Sequence, residues 1–178
     1  EEVYNDETLQ KLGVTRDELE LVKTAEVGNI FNFGRKKCED VGLFFQKQDE
    51  SKEAVWLGSY GIGITRLMGV IVEKFSDDKG IIWPESVAPF QVHLLSLGAD
   101  EKAEEIYKAL TDQSIEVLYD DRDKGAGEKF ADADLMGMPY QVIVGKRSLE
   151  SGKAEVKNRS TGQVDEVAFE ELATYLTK

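Results

Sequence analysis

The stretch Gly58-Ser59-Tyr60-Gly61-Ile62-Gly63-Ile64-Thr65-Arg66 separates strand from helix and decides how the chain is read. After its glycines, Ile64, Leu67, Met68, Ile71 and Phe75 recur at the spacing of one helix face. Val70 and Val72 are apolar too, so this helix is expected to be buried on most sides. The pattern Gly61-x-Gly63-x-x-Arg66 is not a dinucleotide fingerprint, which needs a small residue at position 66 and a parallel βαβ setting. It is not a P-loop, since no Gly-Lys-Ser/Thr follows. Its physical content is two glycines that let backbone approach a ligand, and a guanidinium one turn into a helix. That planar fork suits a phosphate. The structural alternative is that the glycines permit tight packing and that Arg66 pairs with a carboxylate such as Glu73.

Upstream, Thr15-Arg16-Asp17-Glu18 has the form of a capping box, and a helix with Leu19 and Val22 on one face is expected after it. Stretches 27–33, 42–48 and 53–57 read as strands, with the charged tract Gln48 to Lys52 as an exposed hairpin loop. Downstream, Ile82-Trp83-Pro84-Glu85-Ser86-Val87-Ala88-Pro89 holds two of the 3 prolines and marks a domain boundary. Beyond it strands and helices alternate: strands over 90–97, 115–119 and 140–144, and helices after Asp100 and over 127–136. The second helix should stop at Gly137, with Pro139 just beyond. A hairpin around Ser160-Thr161-Gly162 and a final helix bearing Phe169, Leu172, Ala173 and Leu176 follow. This order implies a parallel core made mixed by the terminal hairpin, covered by about three helices.

The 178 residues carry a net charge of −13, 41% hydrophobic and 32% charged residues, which is a globular composition. The two parts on either side of Pro89 are similarly acidic, so any nucleic-acid partner must be held by a few specific contacts. One cysteine, Cys38, excludes an internal disulfide; with one histidine, His93, no Cys/His zinc site is expected and no metal-binding residue is assigned. The apolar run around 60–72 is broken by Arg66 and too short for a bilayer, so no membrane partner is expected. The chain opens Glu1-Glu2 and reads as a piece of a longer protein. His93 reads as a buried or edge histidine, Cys38 as a lone thiol with no base beside it, and Lys146-Arg147 as solvated surface.

The glycine-rich stretch Gly58–Arg66 resembles motif 3 of a class II aminoacyl-tRNA synthetase. Ala25-Glu26-Val27-Gly28-Asn29-Ile30-Phe31 is similar to a segment of bacterial prolyl-tRNA synthetases. Gly80-Ile81-Ile82-Trp83-Pro84 with Ala88-Pro89-Phe90-Gln91-Val92 resembles their passage into the anticodon-binding domain. Asp120-Asp121-Arg122 and Lys129-Phe130-Ala131-Asp132-Ala133-Asp134-Leu135-Met136-Gly137-Met138-Pro139 resemble that domain itself. The resemblance runs from Ala25 to the C-terminus, and the order of its motifs makes it specific.

The resemblance implies an α/β architecture: the C-terminal part of an antiparallel-sheet catalytic domain over 1–88, then a mixed-sheet anticodon-binding domain over 89–178. Arg66 would contact the terminal phosphates of ATP, with Gly61 and Gly63 under its adenine end. Glu26, Asn29, Phe31, Ser59 and Tyr60 would border the proline pocket; ordinary sheet packing is the alternative for Phe31 and Phe33. Asp121, Arg122, Lys129 and Phe130 would read the anticodon, the carboxylate accepting from a guanine edge, the cations holding acceptors and the ring stacking. A solvated turn over 120–123 and a core role for Phe130 are the alternatives. The implied activity is ATP- and Mg²⁺-dependent activation of proline and its transfer to tRNA(Pro) by a cytoplasmic homodimer. Motifs 1 and 2 are not found, so this piece is expected to be inactive alone. Two departures stand out. Ser59 replaces a frequent Cys, and Phe33-Gly34-Arg35-Lys36-Lys37-Cys38 stands where the family usually has Leu-Gly-Thr-Lys-Tyr-Ser. A non-catalytic paralogue that binds RNA or protein is the alternative. Intact Gly61, Gly63 and Arg66 weigh against it. A Rossmann-type oxidoreductase is disfavoured by Arg66 itself.

Overall fold

The computed structural model describes residues 5–177. They divide between Leu67 and Met68 into two compact units, and the division falls inside a helix.

In the first unit, helix α1 (Asp6–Leu12) starts where the Asn5 side chain accepts the Thr8 N–H at 2.9 Å, and it stops at Gly13, whose φ is 70°. The capping box at Thr15 forms, Thr15 N–H donating to the Glu18 carboxylate at 2.8 Å. It closes a single turn, Arg16–Glu18, because Leu19 is already extended. The helix expected through Leu19 and Val22 is therefore absent. Leu19, Leu21 and Val22 are exposed, and a short segment with no surface to bury its apolar face does not hold a helix.

Strand β1 (Gly28–Gly34) is followed by α2 (Lys36–Asp40), β2 (Phe44–Gln46), β3 (Lys52–Ala54) and β4 (Leu57–Ile62). Strands β1 and β4 form an antiparallel ribbon, and β2 and β3 form a hairpin whose loop is the expected charged tract. The stretch read as one strand over 53–57 contributes to two: Lys52–Ala54 pairs with β2 and Leu57 opens β4. Cys38 and Ala54 are buried.

Helix α3 (Ile64–Lys74) forms where its periodicity places it. Its expected burial does not: no residue in it is buried, and Ile64 and Met68 are 79% and 55% exposed. The apolar face is present, but within this chain it stays open.

The second unit continues with a tight hairpin, β5 (Ser76–Asp77) and β6 (Gly80–Ile81). Next come β7 (Val92–Leu97), α4 (Asp100–Thr111), β8 (Val117–Asp120), α5 (Ala126–Met136), β9 (Tyr140–Gly145), α6 (Lys146–Ser151), β10 (Lys153–Asn158), β11 (Val164–Ala168) and α7 (Leu172–Leu176). The five-stranded sheet has the order β11-β10-β9-β7-β8. Strand β7 runs parallel to both β8 and β9, and β10 runs antiparallel to β9 and β11. The parallel core and mixed edge match the sequence expectation, with α6 as an additional short helix. Helix α5 ends at Gly137, which takes φ 71° and closes the helix in the left-handed region.

Strand β7, flanked by β8 and β9, is buried on both faces, which is why it reads as a continuous apolar run. Val92, Leu94, Val142 and Val156 pack with Ala103, Ile106 and Leu110 of α4 and with Leu172 and Leu176 of α7. Leu95 and Ile143 face Ala133 of α5 on the other side. Each such fully buried Leu or Val contributes about 1.5–3 kcal/mol.

Candidate functional site

The first candidate site lies at the end of the β1–β4 ribbon. The Gly63 N–H donates to the Val27 carbonyl at 2.8 Å, closing the ribbon where α3 begins. A Cβ at Gly28 would fall 2.7 Å from the Gly61 carbonyl oxygen, so glycine is what lets the strands approach here. At Gly61 a Cβ would meet nothing within 4 Å. Packing inside the unit does not demand glycine there; bare backbone faces an open cleft. The tight-packing alternative, made for Gly61 and Gly63, fits neither: a Cβ at Gly63 would come no nearer than 3.5 Å to its neighbours, and the tight approach is at Gly28.

Arg66 stands at the third position of α3, on the rim of that cleft with Glu26, Asn29, Gly63 and Thr65. Its Nη1 donates to the Glu26 carbonyl at 2.6 Å and lies 3.8 Å from the Glu26 carboxylate. The partner is Glu26 rather than Glu73. The guanidinium remains 60% exposed, with its other donors turned to solvent among the described residues.

Strand alternation sorts the expected proline-pocket residues. Asn29 lies opposite Gly61, and Phe31 opposite Ser59, on one face of the ribbon. Tyr60 pairs with Ile30 on the other face, and both are over 80% exposed. Asn29, Phe31, Ser59 and Gly61 are thus brought together, and Tyr60 is not. Phe31 stacks on Phe33 at 5.9 Å between ring centroids. In the departing segment, Arg35 pairs with Glu53 and lies 5.9 Å over the Trp56 ring. Lys47 also pairs with Glu53 and holds that carboxyl below its usual range through its hydrogen bond.

The second candidate site lies at the carboxyl ends of β7 and β8. The chain leaves β7 for β8 on one side and returns to β9 on the other, so the switch point of the sheet falls between β7 and β9, next to these ends. Asp120 ends β8 and is 6% exposed. Arg122 donates from Nε and Nη2 to its two carboxylate oxygens at 2.9 and 2.7 Å, and from Nη2 to Asp132 at 2.8 Å. The Arg122 hydrogen bond holds Asp120 below the usual carboxylate range, and the two carboxylates push Arg122 above its ordinary value. Over 120–123 Asp120 is buried and braced by Arg122, while Asp121, Arg122 and Asp123 are exposed, so the turn is solvated beyond its first residue.

Lys129 overturns its sequence expectation as a phosphate or base contact. It is 2% exposed, and its Nζ donates to the carbonyls of Ser96 and Asp120 at 2.8 and 3.0 Å. It ties the ends of β7 and β8 and presents no charge to a partner. Phe130, one residue on, is 36% exposed and is not a core residue. His93 is 1% exposed, as expected of a buried histidine, and burial pushes its pKa down. Its Nδ1 and the Gln141 Oε1 meet no hydrogen-bond partner among the described residues.

Asp132, Asp77 and Arg159 were not singled out from sequence. Asp77 and Arg159 are defined by a partner 82 positions away, so no local pattern marks them, and Asp132 by Arg122 ten positions before it. Among the described residues no helix is long and apolar enough to cross a membrane.

Residues 87–178 match the family model described as "Anticodon binding domain". The chain is 46% identical over 166 residues to a proline–tRNA ligase of Wolbachia sp. subsp. Drosophila simulans, covering 92% of this chain and 39% of that protein. It is 44% identical over 162 residues to that of Parvibaculum lavamentivorans, covering 88% and 37%. To that of Halothermothrix orenii it is 43% identical over 164 residues, covering 90% and 29%. The chain thus spans well under half the length of these relatives.

Proposed function

The chain belongs to the anticodon binding domain family, and from that premise we propose that it is the C-terminal portion of a proline–tRNA ligase. In this reading the second unit binds the anticodon of tRNA(Pro). The first unit supplies one wall of the site where proline and ATP react, in a cytoplasmic dimer completed by segments outside this chain.

The observation that carries the reading is Arg66 on the rim of a cleft floored by the bare backbone of Gly61. The proline carboxylate attacks the α-phosphate, the bond to the β-phosphate bridging oxygen breaks, and pyrophosphate leaves. Arg66 binds the departing phosphates and stabilises the charge that builds on them. The tRNA terminal hydroxyl then takes the prolyl group, and AMP leaves. Among the described residues no group of three or more His, Cys, Asp or Glu side chains could hold a metal. The Mg²⁺ expected with ATP finds no such cage among the described residues. A second arginine, expected from motif 2, lies outside the chain, so the chain alone should form no adenylate.

In this reading exposed Asp121 accepts from a guanine edge, Arg122 presents its braced guanidinium and the partly exposed Phe130 ring stacks; the exposure of all three supports it. The reading is tested by ATP–pyrophosphate exchange with the full-length protein and each of the twenty amino acids. Exchange with proline alone, lost in Arg66→Ala, is the expected result. A folded full-length protein without exchange would leave a binding module instead.

A further inference from the structure

The β5–β6 hairpin precedes the residues that match the family, yet it is fastened into the interior of the second unit. Arg159, with its side chain 4% exposed, donates from Nη1 and Nη2 to Asp77 at 2.8 and 2.6 Å. Its Nε donates to the Asp134 carbonyl at 3.2 Å. The Asp77 carboxylate also accepts the N–H groups of Lys79 and Gly80, so one side chain both shapes the turn and holds Arg159. The Asp134 carboxylate accepts from Lys157 at 2.7 Å and from Gln141 at 2.8 Å.

Backbone contact tightens the same joint. A Cβ on Gly80 would overlap the Leu135 backbone, and one on Gly137 would overlap the Ile81 carbonyl. The Trp83 N–H donates to the Gly137 carbonyl at 3.1 Å. The last turn of α5 is therefore gripped by the hairpin on one side and by Arg159, Lys157 and Gln141 on the other. Just before that turn the same helix carries Asp132, which holds Arg122, and Phe130 about half a turn earlier still. A hydrogen-bonded helix turns as a rod, so the grip on its end sets the direction of both side chains.

We propose that Asp77, through Arg159, is a positioning residue for anticodon recognition. The clasp sets the rotation of α5 and thereby aims Phe130 and the Arg122–Asp132 pair at the RNA. The functional anticodon-binding module then begins at the hairpin, ahead of the family-matched segment. This rests on the anticodon-binding reading above.

The test is the affinity of the full-length protein for two RNA stem–loops, one with the proline anticodon and one with an anticodon guanine replaced. The wild type is expected to prefer the first. Asp77→Asn is expected to cut that preference by roughly five- to tenfold, the size of an ordinary coupling between sites. Gly80→Ala, which displaces the hairpin while keeping its charges, should act in the same direction. A role in stability alone would lower the melting temperature and leave the preference of the folded molecules unchanged. That result for both variants would overturn the proposal while leaving the anticodon reading in place. A wild type that does not distinguish the two RNAs would overturn both.

Discussion

Lys129 and Asp120 meet at the carboxyl end of the parallel sheet, the Lys129 Nζ 3.0 Å from the Asp120 carbonyl and 3.9 Å from its carboxylate. The contact turns a residue that reads as an RNA ligand into an internal strut. Lys129→Met would leave the Ser96 and Asp120 carbonyls without their donor. A loss of about 2–4 kcal/mol is expected, from unsatisfied buried acceptors and a less compensated carboxylate. Urea unfolding measures it. The affinity of the molecules that remain folded for a stem–loop should be unchanged.

Arg122 is expected to behave differently, because its guanidinium is 44% exposed while it bridges Asp120 and Asp132. Arg122→Lys keeps the charge but cannot reproduce the fork. Stem–loop affinity should fall about tenfold, the loss expected for one hydrogen bond from a charged donor. Titration calorimetry of both proteins with the same RNA would check it.

Acid should destabilise the second unit in two stages. His93 has its pKa lowered chiefly by burial, with Asp120 and Asp132 opposing and Arg122 reinforcing the shift. The unfolded chain therefore binds a proton first, and stability falls as pH drops below about 6.5. Asp120 is lowered by its hydrogen bond from Arg122. For Asp134, burial raises the pKa, but hydrogen bonds from Lys157 and Gln141 outweigh it. Their stabilisation is complete above the ordinary carboxylate range and is lost as pH falls below about 4. His93→Leu should abolish the first stage and leave the second, as read from urea midpoints at successive pH values.

Gly137 and Gly152 both have φ of 71°, but their surroundings differ. At Gly152 a Cβ would meet nothing, so Gly152→Ala should cost about 1 kcal/mol from backbone strain alone. At Gly137 the Cβ would overlap the Ile81 backbone, and Gly137→Ala should cost about 3 kcal/mol or more. Thermal unfolding of the two variants side by side would separate strain from overlap.

The parts legible in the sequence are those governed by local spacing. The apolar run of β7, the face of α4 and the glycine stop of α5 all lie where their patterns place them. The β5–β6 hairpin was not legible, because strands of two residues have no period to detect. The helix after Thr15 was over-read: a capping signal starts a turn, but only burial of the following face extends it. For the candidate site, the cleft residues around Gly61 and Arg66 follow from motif spacing. The face that each takes depended on the β1–β4 register, which set Tyr60 apart from Phe31 and Ser59.

The sequence by itself determined the family, the strand and helix order of the second unit, and the glycine–arginine motif, because each is written in residues close together along the chain. Tertiary packing decides which charges are exposed and which are struts. Lys129 reaches into the sheet, Arg122 is braced between two carboxylates, and Asp77 clasps Arg159 from 82 positions away. Charge pairing and burial depend on distance in space, and only the folded chain brings those partners together.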